Sequence, residues 1–190
     1  MQGRSNKEPM TTWIYLPIPT QEMRDFANGL NLGSQYTLSN YFVSGKGKAI
    51  TRFFGGCLGG VAAWDELLLI CHGATGGSRF TGATRADNEL KKYSPEDLAG
   101  VIRKEGLAKS FIDLKLLVCG GGLRPRGGVD DPFAERVCAA LKADGYSKIR
   151  VTGYLGDVST SGGKIKVLRN GEQGGKYYDG NVPGSYKVYK

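Results

Sequence analysis

Two apolar runs stand out from an otherwise mixed chain. They are Leu67-Leu68-Leu69-Ile70-Cys71 and Phe111-Ile112-Asp113-Leu114-Lys115-Leu116-Leu117-Val118. Five apolar residues in a row without alternation predict a strand buried on both faces, as in a parallel sheet covered by helices. Between the runs, Ser94-Pro95-Glu96-Asp97 carries three helix-start signals: serine as N-cap, proline at the first helical position and acids in the first turn. Leu98, Val101 and Ile102 supply the buried stripe of that helix, which ends near Gly106. Strand, helix and strand in this order make a βαβ unit with parallel strands. His72 and Cys119 therefore both finish parallel strands at one edge of the sheet, the edge where open α/β sheets hold their ligands.

The flanking pattern is weaker. Residues 1–10 are polar and read as a frayed arm, and Thr12 to Ile18 reads as a strand that Pro17 pushes toward an edge or an end. Thr20 caps a short helix over Gln21 to Leu30, with Met23, Phe26, Ala27 and Leu30 on one face. Tyr36 to Val43 and Ala49 to Phe54 resemble a hairpin around Gly45-Lys46-Gly47-Lys48, and Gly55 to Gly60 is a glycine-rich loop. Ala74 to Asp87 reads as a second loop. Pro132 to Ala143 is an amphipathic helix leading to a strand over Lys148 to Tyr154, and the tail from Val158 to Lys190 alternates like a β-hairpin or flap. The expected fold is a single α/β domain over 1–190, with a mostly parallel central sheet flanked by helices.

Composition changes this picture in three ways. Thirty glycines in 190 residues, with no repeat period, predict many tight turns. The net charge of +8 favours an anionic partner without choosing among nucleic acid, membrane surface and polyphosphate. Four cysteines without C-x-x-C spacing, beside a single histidine, argue against a zinc site, and the apolar settings of Cys71 and Cys138 argue for buried thiols rather than disulfides. No signal peptide opens the chain and no run approaches a membrane span, so a soluble protein of a reducing compartment is expected.

The chemistry then narrows to a Cys–His pair. His72 is the one side chain of its kind for acid/base work near neutral pH, and it can deprotonate Cys119 for attack on a carbonyl. The N–H groups of Gly73 and Cys119 are the candidate oxyanion donors. A phosphatase-type loop needs arginine six positions after its cysteine, where this chain has Pro125. The Gly120-Gly121-Gly122 run lacks the lysine and hydroxyl of a P-loop, and no G-x-S-x-G elbow occurs. Asp65, just before the His strand, reads either as a surface acid or as a partner that orients His72. Adjacent strand residues face opposite ways, so Cys71 is expected in the core while Cys119 faces the site.

An apolar strand ending in His-Gly, a Gly-rich loop, a helix opening Ser-Pro-Glu-Asp-Leu-Ala and an apolar strand ending in Cys-Gly resemble the caspase-like (clan CD) cysteine peptidases. The spacing is most similar to the self-processing protease domains of large bacterial toxins and related secreted effectors. The resemblance covers roughly Trp64 to Asp157; Val118 stands where the family often has a small polar residue. It implies His72 as catalytic histidine, Cys119 as nucleophile and Gly73 as oxyanion glycine, with a protein or peptide substrate. It also implies an activator, inositol hexakisphosphate, near the flap, for which Lys164, Lys166 and Lys176 are candidate contacts along with Lys187 and Lys190. A bacterial cytoplasmic origin with secretion lacking a classical signal follows from the same likeness. The expected function is thus a cysteine endopeptidase, acting on itself or a host protein. The alternatives are an inactive module of the same fold binding an anionic ligand such as inositol phosphate, and a basic nucleic-acid binder with no recognisable motif.

Overall fold

The computed structural model describes residues 11–18, 20–30, 37–38, 56–74, 77–84, 90–169 and 176–190. The arm over 1–10, the Gly45–Lys48 turn and the strand expected over Ala49 to Phe54 lie outside them. A six-stranded sheet organises the molecule. Its strands, in spatial order, are β11 (Tyr186–Tyr189), β7 (Arg150–Tyr154), β6 (Asp113–Leu117), β3 (Glu66–Ile70), β1 (Thr12–Tyr15) and β2 (Thr37–Leu38). All neighbours run parallel except β11, which is antiparallel to β7.

Alternation along the central strands splits the core into two layers. Leu67, Leu69, Leu114, Leu116 and Val151 face α2 (Pro95–Lys104) and α3 (Phe133–Ala143), packing on Leu98, Ile102, Phe133, Val137 and Leu141. Leu68, Ile70, Leu117 and Tyr154 face the other way, against Met23, Ala27 and Leu30 at α1 (Gln21–Asn28) and against Val158 and Val167. Leu67 to Ile70 are buried on both faces, which is why this strand reads as an unbroken apolar run. Leu69 and Leu116 are fully buried, so truncating either to alanine costs about 2–5 kcal/mol.

The helix starts follow their sequence signals. The Ser94 hydroxyl accepts the Asp97 N–H at 3.1 Å, while the Asp97 carboxylate accepts the Ser94 N–H at 3.2 Å, closing a reciprocal cap behind Pro95. At α1, Thr20 Oγ1 accepts from Met23 N at 3.3 Å. These caps fix where each crossover helix begins.

Two expectations are corrected, for the Ala74 to Asp87 loop and for the tail, while Pro17 marks a strand end, one of the two places expected for it, and β2 gains a partner. The strand before Pro17 lies inside the sheet, between β3 and β2, because the proline falls beyond its last ladder residue and removes no interior donor. Thr37–Leu38 pairs in parallel with β1, a partner no hairpin signal announces. The loop expected over Ala74 to Asp87 contains β4 (Thr81–Thr84), which pairs antiparallel with β5 (Leu90–Tyr93). The tail is more than one hairpin: β8 (Gly156–Ser161), β9 (Lys164–Arg169) and β10 (Tyr177–Asp179) form a separate three-stranded sheet in the order β10-β9-β8, while β11 returns to the main one.

Candidate functional site

The last register pair between β3 and β6 is Ile70 with Leu117. His72 and Cys119 each follow two residues later, so each inherits the face of the residue before last. That face is the α1 side: Ile70 and Leu117 belong to its core layer, Cys119 packs against the same layer, and His72 reaches Glu22 of α1. Cys71 and Val118 turn to the opposite layer, among the residues beneath α2 and α3. Cys71 and Cys119 thus lie on opposite faces of the sheet, with Cys71 in the core.

The two strand ends interlock through glycines. A Cβ on Gly73 would fall 2.2 Å from the Cys119 carbonyl oxygen and 2.5 Å from Val118 Cγ1, so only glycine lets the His loop lie against the Cys strand. Gly120, at φ 63°, is similarly pressed onto Ala74, whose oxygen would lie 2.3 Å from an added Cβ. Ser78 is buried between the two loops; its hydroxyl accepts from Ala74 N at 2.6 Å and donates to Cys119 O at 2.8 Å. The His72 backbone is fixed from the far side by Gly82 of β4, with N–H to O contacts of 3.0 and 3.3 Å, and by Thr81 Oγ1 donating to His72 O at 2.7 Å. Among the described residues, no oxygen accepts the backbone N–H of Gly73 or Cys119.

The side chains themselves are engaged elsewhere. His72 Nε2 lies 2.9 Å from Glu22 Oε2 in a solvent-exposed pair. The half-buried Cys119 sulfur accepts the Val158 N–H at 3.3 Å and donates to Val158 O at 3.8 Å, both on the free edge of β8. Burial pushes the Cys119 thiol above its ordinary value, the Val158 N–H pulls it down, and the Asp157 carboxylate pushes it up again. Cys71, sealed in the core, is pushed up to about 12 by burial and is inert. All four cysteines are free.

Asp65 takes neither of its expected roles. It is buried at the amino end of β3, accepting from Thr11 N at 3.0 Å, Trp13 Nε1 at 2.8 Å and Ala62 N at 2.9 Å. A strand rises about 3.3 Å per residue, which puts it at the far end of β3 from His72. It fastens β1 to the turn before β3.

The tail lysines are spread over two sheets. Lys164 is exposed at the start of β9, Lys166 sits across from Asp179, and Lys176 lies 5.4 Å from the Tyr178 ring centroid, while Lys187 belongs to the main sheet beside Tyr189. A cavity of about 360 Å³ lies on the α1 face of the sheet, lined by Asp113, Lys115, Arg150, Tyr154, Tyr186 and Lys190 among others. Two of its cations are already neutralised, Lys115 by Glu66 and Arg150 by Asp113 at 3.2 Å. Among the described residues, no three His, Cys, Asp or Glu side chains converge on a metal position, and no helix is long and apolar enough to cross a membrane.

Glu22, Ser78 and Val158 escape sequence reasoning. Acids are ordinary in a first helical turn, a serine in a glycine-rich loop reads as a turn residue, and Val158 acts through its backbone. No protein-family model matches the chain, and no curated protein matches it.

Proposed function

We propose that the chain is a cysteine endopeptidase of the caspase-like type, working through His72 and Cys119. The observation that carries the reading is the pairing of strand ends: both residues stand two positions beyond one register pair of adjacent parallel strands and on one face. The N–H group of Gly73, which no acceptor among the described residues takes, supports it further, because an oxyanion needs donors not already bonded. A peptide substrate is favoured by β8, whose outer edge carries the backbone groups of Val158 beside the sulfur.

The thiol first turns from Val158 toward His72. Its proton passes to the imidazole as sulfur attacks the carbonyl carbon of the peptide bond, forming the S–C bond and moving the C=O electron pair onto oxygen. Collapse breaks the C–N bond, and the imidazolium returns the proton to the leaving amine. Water, deprotonated by His72, then hydrolyses the thioester to a carboxylate and restores the thiol.

A second reading, an inactive module for an anionic ligand, is favoured by the thiol's present bonds to Val158, which leave it turned away from the imidazole. One experiment separates the two: incubate the protein with and without inositol hexakisphosphate and follow cleavage of its own chain and of a peptide library. Cleavage abolished by Cys119→Ala is the expected result. Ligand binding with no cleavage under either condition overturns the peptidase reading.

A further inference from the structure

We infer that Ser78 is a positioning residue that couples the His72 loop to the nucleophile and to β8. This rests on the reading of Cys119 as nucleophile. Four hydrogen bonds run in series. Ala74 N–H donates to Ser78 Oγ at 2.6 Å, Ser78 Oγ–H donates to Cys119 O at 2.8 Å, Gly120 N–H donates to Gly156 O at 2.9 Å, and Val158 N–H donates to Cys119 Sγ at 3.3 Å. The Cys119 carbonyl and the Gly120 N–H belong to one peptide unit, so a hydroxyl bonded to the first polarises the second. The same peptide plane ends on the Cys119 Cα, which carries the thiol side chain.

Burial gives the hydroxyl its leverage. Ser78 is 1% exposed, so water cannot take over its two bonds, and deleting the hydroxyl leaves a donor and an acceptor unmatched. The glycines on both sides remove slack: an added Cβ on Gly73 would come within 2.6 Å of Ser78 Oγ, and one on Gly120 within 2.8 Å of Gly77 N. The chain of bonds therefore transmits rather than absorbs a displacement. Strand alternation sets the face of Cys119, and the Ser78 bond holds its carbonyl in place.

The test is the pH profile of iodoacetamide labelling at Cys119, resolved by peptide mass spectrometry, in wild type, Ser78→Ala, His72→Ala and Tyr146→Phe. The last removes an equally buried hydroxyl-to-carbonyl bond, Tyr146 to Leu107 at 2.9 Å, away from the site. Ser78→Ala is expected to slow labelling about tenfold near neutral pH, the scale of one hydrogen bond, and to move its midpoint to higher pH, while Tyr146→Phe keeps the wild-type profile. A wild-type profile in Ser78→Ala, with His72→Ala slowed, overturns the role of Ser78 alone. A His72→Ala profile equal to wild type overturns the dyad instead. Should Ser78→Ala not fold, hydrogen exchange on the wild-type protein decides: Ala74 and Gly120 amides are expected to exchange slowly and together, and fast exchange at Ala74 overturns the coupling.

Discussion

Placing a methyl group on Gly73 is the sharpest perturbation the site offers. The backbone there is not in the left-handed region, so Gly73→Ala imposes no conformational penalty and its cost is steric. The new Cβ would sit 2.2 Å from Cys119 O, 2.5 Å from Val118 Cγ1 and 2.6 Å from Ser78 Oγ, where ordinary contacts lie beyond 3.4 Å. Three neighbours must each give by about an ångström, and the first is backbone already fastened by Ser78. Overpacking of this kind costs about 1–3 kcal/mol, which at roughly 2–4 °C per kcal/mol for a chain this size lowers the melting temperature by about 2–12 °C. Relief comes from pushing the Cys119 strand end away, so labelling of Cys119 in the folded protein should also lose its dependence on His72. Gly60→Ala is the control, since nothing lies within 4 Å of its added Cβ. Scanning fluorimetry and urea unfolding measure both variants. A Gly73→Ala protein melting within about 1 °C of wild type, with intact His72-dependent labelling, refutes the claim that this glycine lets the two loops close.

Other consequences are equally accessible. Asp65→Ala strands three N–H donors and should destabilise by about 2–4 kcal/mol, read by urea unfolding, while the pH profile of Cys119 labelling stays as in wild type; a changed profile would return Asp65 to the site. Glu22→Gln breaks an exposed pair worth less than about 1 kcal/mol, so the melting temperature should hold while peptide turnover falls several-fold; unchanged turnover removes Glu22 from the account. Gly100, inside α2 with open space at its Cβ, should stabilise by about 0.5–1 kcal/mol when replaced by alanine, and a lower melting temperature would contradict that geometry. Cys71 is raised from 9.0 to about 12 in the folded state. Its contribution is thus fully present below about pH 9 and is lost as pH rises toward 12, at up to about 1.4 kcal/mol per pH unit. Cys71→Val should flatten that alkaline limb by one proton, and an identical slope would place the thiol in contact with solvent.

What could be read from the chain was what local physics dictates. Leu67 to Cys71 announces a doubly covered strand because both its faces are apolar, Phe111 to Val118 announces a strand through its buried face, and Ser94-Pro95 announces a helix because the cap uses only nearby atoms. That Cys119 faces away from Cys71's layer follows from strand alternation alone. Pairings between distant segments left no such trace. β11 joins β7 across more than 30 residues, and β4 with β5 is a short, polar pair whose residues carry no alternating apolar signal. Asp65 read as a surface acid because nothing local shows that Thr11, Trp13 and Ala62 will converge on it. Glu22, Ser78 and Val158 enter the site only once α1, the His loop and β8 are folded onto one face.

The direct test of the central claim is site-resolved alkylation of the native protein at neutral pH with limiting iodoacetamide. If His72 and Cys119 act as a pair, Cys119 is labelled ahead of Cys57, Cys71 and Cys138 despite its burial, and His72→Ala suppresses that labelling without lowering the melting temperature. Equal labelling of the accessible thiols, or a Cys119 rate indifferent to His72, contradicts the account.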